Sequence, residues 1–248
     1  MTTEVSEPQA AAPPPKKNVF ARYAGVLFAP ADAFQEIVRR PDIMAPLLLI
    51  VVLSYAGAAI LVPRLDTEAL KEMQREQILK RSPGATEADM ERFGKIAEAS
   101  MRVGQWIGPL LGILFFAVAA GALLLGFRLM GGDGNYTQAF SVTLYAWAPL
   151  LLYSIVTAIV VLARGTFDPT SAATLVKSNP AFLVDMREQP VLYSLLSSLD
   201  VFSIWALILF TIGFAAMSRL SKGMSAAIVI CLWVVMVLVK LGFAALQS

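Results

Sequence analysis

Gly112-Ile113-Leu114-Phe115-Phe116-Ala117-Val118-Ala119-Ala120-Gly121-Ala122-Leu123-Leu124-Leu125-Gly126-Phe127 contains neither a charged nor a hydrogen-bonding side chain. Extended back to Val103, the uncharged stretch exceeds the roughly 20 apolar residues that a helix needs to cross the hydrocarbon of a bilayer. It lacks the strict alternation of a membrane β-barrel strand. Backbone groups left unpaired in lipid are costly, so such a stretch has to be helical.

Four more stretches of the same kind flank it. The spans expected are 43–62, 103–127, 136–162, 198–217 and 224–246. The composition agrees: 57% of the 248 residues are apolar and 15% charged, against about a quarter charged in an ordinary soluble chain, and the mean hydropathy is +0.67. The fold class expected is therefore all-α, a polytopic integral membrane protein built as a bundle of five transmembrane helices.

The connections differ in length and chemistry. Gly131-Gly132-Asp133-Gly134 turns the chain between spans two and three, and residues 218–223 do so between spans four and five, which makes each pair antiparallel neighbours. Residues 63–102 instead form a highly charged extramembrane insert, divided by Ser82-Pro83-Gly84. Thr86 with Asp89 three residues later is a capping-box helix start, and Glu91/Lys95 and Glu98/Arg102 are i,i+4 pairs. Two amphipathic helices are predicted there, the second able to run on into span two. Residues 164–197 read as irregular, with a short helix around 170–177.

Ahead of the spans, residues 1–18 read as a disordered tail rich in Ala and Pro, with no signal-peptide core following. Residues 19–42 read as an interfacial amphipathic segment: Phe34, Ile37 and Val38 share one face while Asp32, Gln35, Glu36 and Arg39 take the other. A surface helix packed on the protein's own loops is the competing reading. Residues 43–248 make up the membrane domain.

Several chemistries are excluded. The chain has no histidine and a single cysteine, Cys231, so imidazole-based catalysis, an intrachain disulfide and a multi-cysteine zinc site have no residues to build them. A net charge of +2 is too balanced for a nucleic-acid binder. The glycine-rich turn lacks the following Lys and Ser or Thr of a phosphate-cradling loop. No catalytic residue, metal site or cofactor is expected, and the protein is expected not to be an enzyme.

Ionisable residues in membrane spans are functional candidates by default. Asp200, near the start of span four, and Lys240, late in span five, both lie about 25 Å from the shared tight turn at 1.5 Å per residue. They form a candidate structural ion pair; the competing reading has each side chain snorkel separately to water. Gly104, Gly108 and Gly112 make a small-residue strip suited to close helix packing. Pro149 is a candidate kink in span three, and Trp106, Tyr136, Tyr193 and Trp205 fall where aromatic belts are expected. Ser54, Ser141, Thr143, Ser154, Thr157, Ser203 and Thr211 can bond to their own helix backbone.

Lysine and arginine counts lean the wrong way for a cytoplasmic N-terminus, because the insert carries eight basic residues. Those eight are matched by eight acidic ones, and basic residues sit at both tight turns and at Arg39-Arg40 before the first span. A cytoplasmic N-terminus is preferred on that ground.

Phe28-Ala29-Pro30-Ala31-Asp32-Ala33-Phe34 followed by Pro41, then Tyr136-Thr137-Gln138-Ala139-Phe140, Tyr145, Pro149, and Leu199-Asp200-Val201-Phe202-Ser203-Ile204-Trp205, resembles the bacterial branch of the Yip family, the Ypt/Rab-interacting membrane proteins, over roughly residues 20–246. The resemblance implies five helical spans, a cytoplasmic N-terminus and, for a bacterial member, the cytoplasmic (inner) membrane. It also implies interaction rather than catalysis: eukaryotic members are linked to vesicle trafficking, to prenylated Rab-type GTPases and to association with one another. The large insert departs from the compact eukaryotic pattern, so GTPase binding is not carried over. The function expected is a non-enzymatic membrane factor that organises or interacts with membrane protein or lipid partners, itself included. The alternative is a small transport or lipid-handling protein with a cavity between kinked spans.

Overall fold

The computed structural model describes residues 17–246. The expected tail lies outside these residues except for Lys17 and Asn18. All regular structure in the described residues is helical, with one isolated parallel bridge between Leu65 and Phe167.

Two short helices lead in, α1 (Val19–Phe28) and α2 (Pro30–Arg39), followed by the first span, α3 (Met44–Leu61). The insert contributes α4 (Thr67–Arg81) and the outer part of α5 (Glu87–Leu129). As the charge pattern allowed, the second insert helix and span two are one rod of 43 residues, about 65 Å at 1.5 Å per residue. It starts on the predicted capping box, with Asp89 N–H donating to Thr86 Oγ1 at 3.3 Å and Thr86 N–H to Asp89 Oδ2 at 3.0 Å.

The glycine turn ends α5. Gly131 and Gly134 adopt positive φ of 78° and 113°, a backbone region open to glycine at little cost. Span three then falls into α6 (Tyr136–Ala146) and α7 (Ala148–Arg164), broken at Trp147 with Pro149 in the first turn of α7. The ring has no N–H to give the preceding turn, which explains the break where the sequence placed the kink. After a loop holding α8 (Pro190–Leu196), spans four and five are α9 (Val201–Ser218) and α10 (Lys222–Ala245). The predicted helix near 170–177 is a 3₁₀ turn over Pro169–Thr174; α8 was not foreseen.

The centre of the bundle is α6, buried on every side from Ala139 to Ala146. Around it Phe127 of α5 stacks on Phe214 of α9 with ring centroids 4.9 Å apart, and Phe116 meets Trp147 edge-on at 5.2 Å. The five long helices are apolar enough to cross a membrane. α3 and α10 bury little of their surface within the chain.

The two tight turns meet at one end of the bundle, where Asp133 N–H donates to the Ser218 carbonyl at 3.0 Å. α1 and α2 pack at that same end. Residues 19–42, expected as an interfacial amphipathic segment, turn their apolar face into the bundle rather than outward. Val26, Phe34 and Ile37 are fully buried in the main core with Phe214 and Met217, so the apolar face of α2 is covered by α6 and α9. Phe20 and Phe28 are the large apolar side chains of the segment that stay exposed. The same periodicity suits a lipid surface or a protein surface, and local sequence does not distinguish them.

The glycines also redistribute. A Cβ at Gly104, Gly108 or Gly112 would meet nothing within 4 Å, so no helix of this chain packs closely on that strip. Close approach occurs at Gly213, where a Cβ would sit 2.6 Å from Val142 Cγ1 and 2.9 Å from Phe34 Cδ1. Of the aromatic residues expected in belts, Trp106 and Tyr136 are exposed, Tyr193 is buried, and Trp205 packs against the core.

Gly213→Val is expected to lower the thermal midpoint in detergent through overpacking of about 1–3 kcal/mol or more. Gly57→Ala, where a Cβ meets nothing, should leave it unchanged or slightly raised. Differential scanning fluorimetry of both variants tests the difference.

Candidate functional site

Polar side chains gather in two nodes, one at each end of the bundle. The first is centred on Arg22, a single charged residue in the otherwise apolar α1, and 1% exposed. Asn18 starts the helix by accepting from Ala21 N–H at 2.8 Å, which turns Arg22 inward. Its Nη2 donates to Glu36 Oε1 of α2 at 3.2 Å, and Glu36 also takes Lys17 at 3.4 Å. The guanidinium carbon lies 6.0 Å from the centre of the Tyr145 ring of α6, a cation–π distance.

Neighbouring contacts tie the same helices together. Tyr23 Oη donates to the Leu144 carbonyl at 3.2 Å; burial pushes this phenol far above its ordinary value, and Tyr145 adds to the effect, so Tyr23 stays a protonated donor. Ser141 Oγ donates to the Asp42 carbonyl and accepts from Asp42 N–H, both at 3.1 Å. Gln138 Nε2 donates to the Val38 carbonyl at 3.0 Å. The node therefore clamps α1, α2 and the start of α3 onto α6.

The second node, at the opposite end, corrects the expected Asp200–Lys240 ion pair. Asp200 is the N-cap of α9: Oδ1 accepts from Phe202 N–H at 2.8 Å and from Ser203 N–H at 3.2 Å, and Oδ2 accepts from Ser178 Oγ. Lys240 Nζ instead donates to Ser197 Oγ at 2.8 Å and Ser198 Oγ at 3.1 Å. The two residues are at one level, as the helix arithmetic placed them. The direct pair does not form because span four begins at Val201 and not at Ser198, which turns the carboxylate toward its own helix N-terminus. Tyr193 closes the node by donating to the Thr170 carbonyl at 3.0 Å, and its burial raises the phenol.

Arg22 is the residue that sequence reasoning missed. Its signal was present: one charge inside the ten apolar-rich residues of α1, with an acid on the next helix. What that signal lacked was any indication that α1 is covered. Among the described residues, no group of three or more His, Cys, Asp or Glu is placed to hold a metal ion. Between the nodes, the interior of spans two to four is packed mainly by apolar side chains, and the buried Thr143 and Thr157 hydroxyls bond back to their own helix. One crevice of about 180 Å³ opens between α3 and α5, lined by Ile50, Ser54, Gly108, Gly112 and Phe116 among others.

Five apolar helices, with polar fastenings at the two ends, define a multi-pass integral membrane protein. Residues 24–243 match the Yip1 domain, and the chain belongs to that family. It is similar to membrane protein YknW of Bacillus subtilis (strain 168), 26% identical over 198 residues that make up 80% of this chain and 79% of that protein. No solved structure matches it.

Removing one partner of a buried ion pair strands the other. Glu36→Gln is expected to lower stability by roughly 1–3 kcal/mol, below the 3–5 kcal/mol of a fully enclosed pair, since Glu36 is 24% exposed. Adding Arg22→Met should restore most of the loss, as read from unfolding midpoints of the single and double variants. At the other node, Asp200→Ala should cost about 1–2 kcal/mol through loss of the cap. The charge-swapped double variant Asp200→Lys/Lys240→Asp should not recover it, because a lysine cannot accept from Phe202 and Ser203 N–H.

Proposed function

We propose that this protein is a non-enzymatic organising factor of a bacterial cytoplasmic membrane, with a cytoplasmic N-terminus, which engages membrane protein or lipid partners. The observation that carries this reading is the distribution of polarity. The polar nodes lie toward the bundle ends, while Phe116, Ala120, Trp147, Leu209 and Phe210 pack the stretch between them. A carrier needs polar groups or a wet cavity near the bilayer midplane; a scaffold needs a rigid interior and free outer surface. α3 and α10, which bury little within the chain, supply that surface.

Orientation follows from charge by end. Arg39, Arg128, Arg219 and Lys222 belong to the end where α1, α2 and both tight turns meet, whereas the insert projects from the other. The raw count of basic residues favours the insert end, but the insert's eight are matched by eight acidic ones, and on that ground we assign the former end to the cytoplasm.

A lipid-handling role is the second reading, favoured by the crevice between α3 and α5. Its apolar lining and volume of about 180 Å³ suit part of an acyl chain rather than a polar solute.

Two measurements test these readings. In a Cys231→Ser background, membrane-impermeant maleimide added from the outer side should label Ser82→Cys and spare Lys222→Cys; the reverse pattern overturns the orientation. Crosslinking in native membranes, followed by identification of co-purified species, should recover defined protein or lipid partners. Recovery of the chain alone without lipid enrichment overturns the organising role, and enrichment of lipid lost in Gly112→Leu would favour the crevice.

A further inference from the structure

We infer that the outer half of α5 and its entry into the membrane form a parallel pairing surface for a second copy of this chain. This inference rests on the organising role proposed above and names one partner for it. Phe93, Ile96, Ser100, Val103, Ile107, Leu110 and Leu114 follow one another at spacings of 3, 4, 3, 4, 3 and 4 residues, the repeat that keeps one seam facing a partner helix. All seven are exposed. An open groove of about 510 Å³ runs along this face, and every residue lining it, from Ile96 to Leu111, belongs to α5.

Lipid accounts for the lower part of the seam but not the upper. Phe93 and Ile96 are 49% and 54% exposed, and they precede Arg102, the last charged residue before the span, by nine and six residues. At 1.5 Å per residue these side chains stand about 14 and 9 Å beyond it, among the charged residues of the insert, where exposed apolar surface is unfavourable. An occupant of the whole seam must be a helix that leaves the membrane unbroken and continues for several turns. α5 is itself such a helix, and two copies in one membrane share the same orientation, so a two-fold axis along the seam sets each residue beside its counterpart.

Asp89 and Arg92 fall on the seam side in the first turns of α5, and beyond them charge is kept off this face. Glu91–Lys95 at 2.8 Å and Glu98–Arg102 at 3.3 Å pair within the helix, and the helical wheel puts all four on the opposite flank. Gly104 and Gly108 sit beside the seam with nothing of their own chain within 4 Å of a Cβ position, leaving room for a second backbone to approach. Gly104 and Gly108 line the groove along the seam, whereas Gly112 faces the crevice toward α3.

The test is oxidative crosslinking of single-cysteine variants of the full chain in native membranes, in a Cys231→Ser background. Ile96→Cys, Ser100→Cys and Val103→Cys should give disulfide-linked dimers, at least tenfold more than Glu98→Cys on the opposite flank. Equal yields at all four positions, no dimer at any, or crosslinks to a different protein overturn the pairing. As a second readout, the association constant of the purified protein in detergent should fall at least tenfold in Ile96→Glu/Ser100→Glu, with an unchanged unfolding midpoint. A wild-type chain that is monomeric at every concentration, or a variant that associates equally well, also overturns it. Capture of other partners with no dimer would sink this inference and leave the organising role standing.

Discussion

A bilayer interior offers no water to satisfy a polar atom, and each feature of this structure can be followed from that constraint. The backbone responds by closing its hydrogen bonds within helices. Hydroxyl groups that enter the spans respond by bonding to their own helix: Ser54 donates to Ile50, Thr143 to Ala139, Ser154 to Leu150, Thr157 to Tyr153 and Thr211 to Leu207, all between 2.8 and 2.9 Å. Ser141 departs from this pattern and reaches Asp42 instead. That contact fixes the entry of the first span against α6, and the Tyr55 and Tyr136 hydroxyls likewise cross to α5, donating to the Trp106 and Ala117 carbonyls.

Groups too polar for such local solutions are moved to the ends and fastened there. Arg22 is buried with Glu36 and Tyr145, and Lys240 rests on two serine hydroxyls. These contacts settle geometry more than they add stability, because a buried charge pair roughly recovers its own desolvation. What they specify is which helices lie side by side: α1 and α2 over α6 at one end, and α8 against α10 at the other. With both ends fastened, apolar side chains pack the middle of the bundle, as Trp147 set edge-on to Phe116 and Phe210 shows.

Much of this was legible in the chain because hydropathy and caps are local signals. The five spans, the glycine turn, the capping box at Thr86 and the break before Pro149 each rest on a few adjacent residues, and each is found in the structure. The cover over α1 and α2 and the partners of Asp200 and Lys240 were not legible, because both turn on what lies against a face. Phe34 has the same spacing whether it meets lipid or Phe214, and a three-residue change in where α9 begins redirects a carboxylate from a lysine to a helix N-terminus. Likewise Gly213, isolated in its sequence, is the point of closest helix contact, while the regular series Gly104, Gly108 and Gly112 is open.

The sequence by itself determined that the chain crosses a membrane five times as helices, that it carries a charged helical insert, and that imidazole chemistry has no place in it. Those properties depend on composition and on periods of a few residues. Tertiary structure alone decided that α6 is the central helix, that Arg22 is buried, and that the N-terminal helices belong to the core. The physical reason is that lipid and protein interior are equally apolar, so the pattern of apolar residues marks what must be hidden from water without recording which of the two hides it.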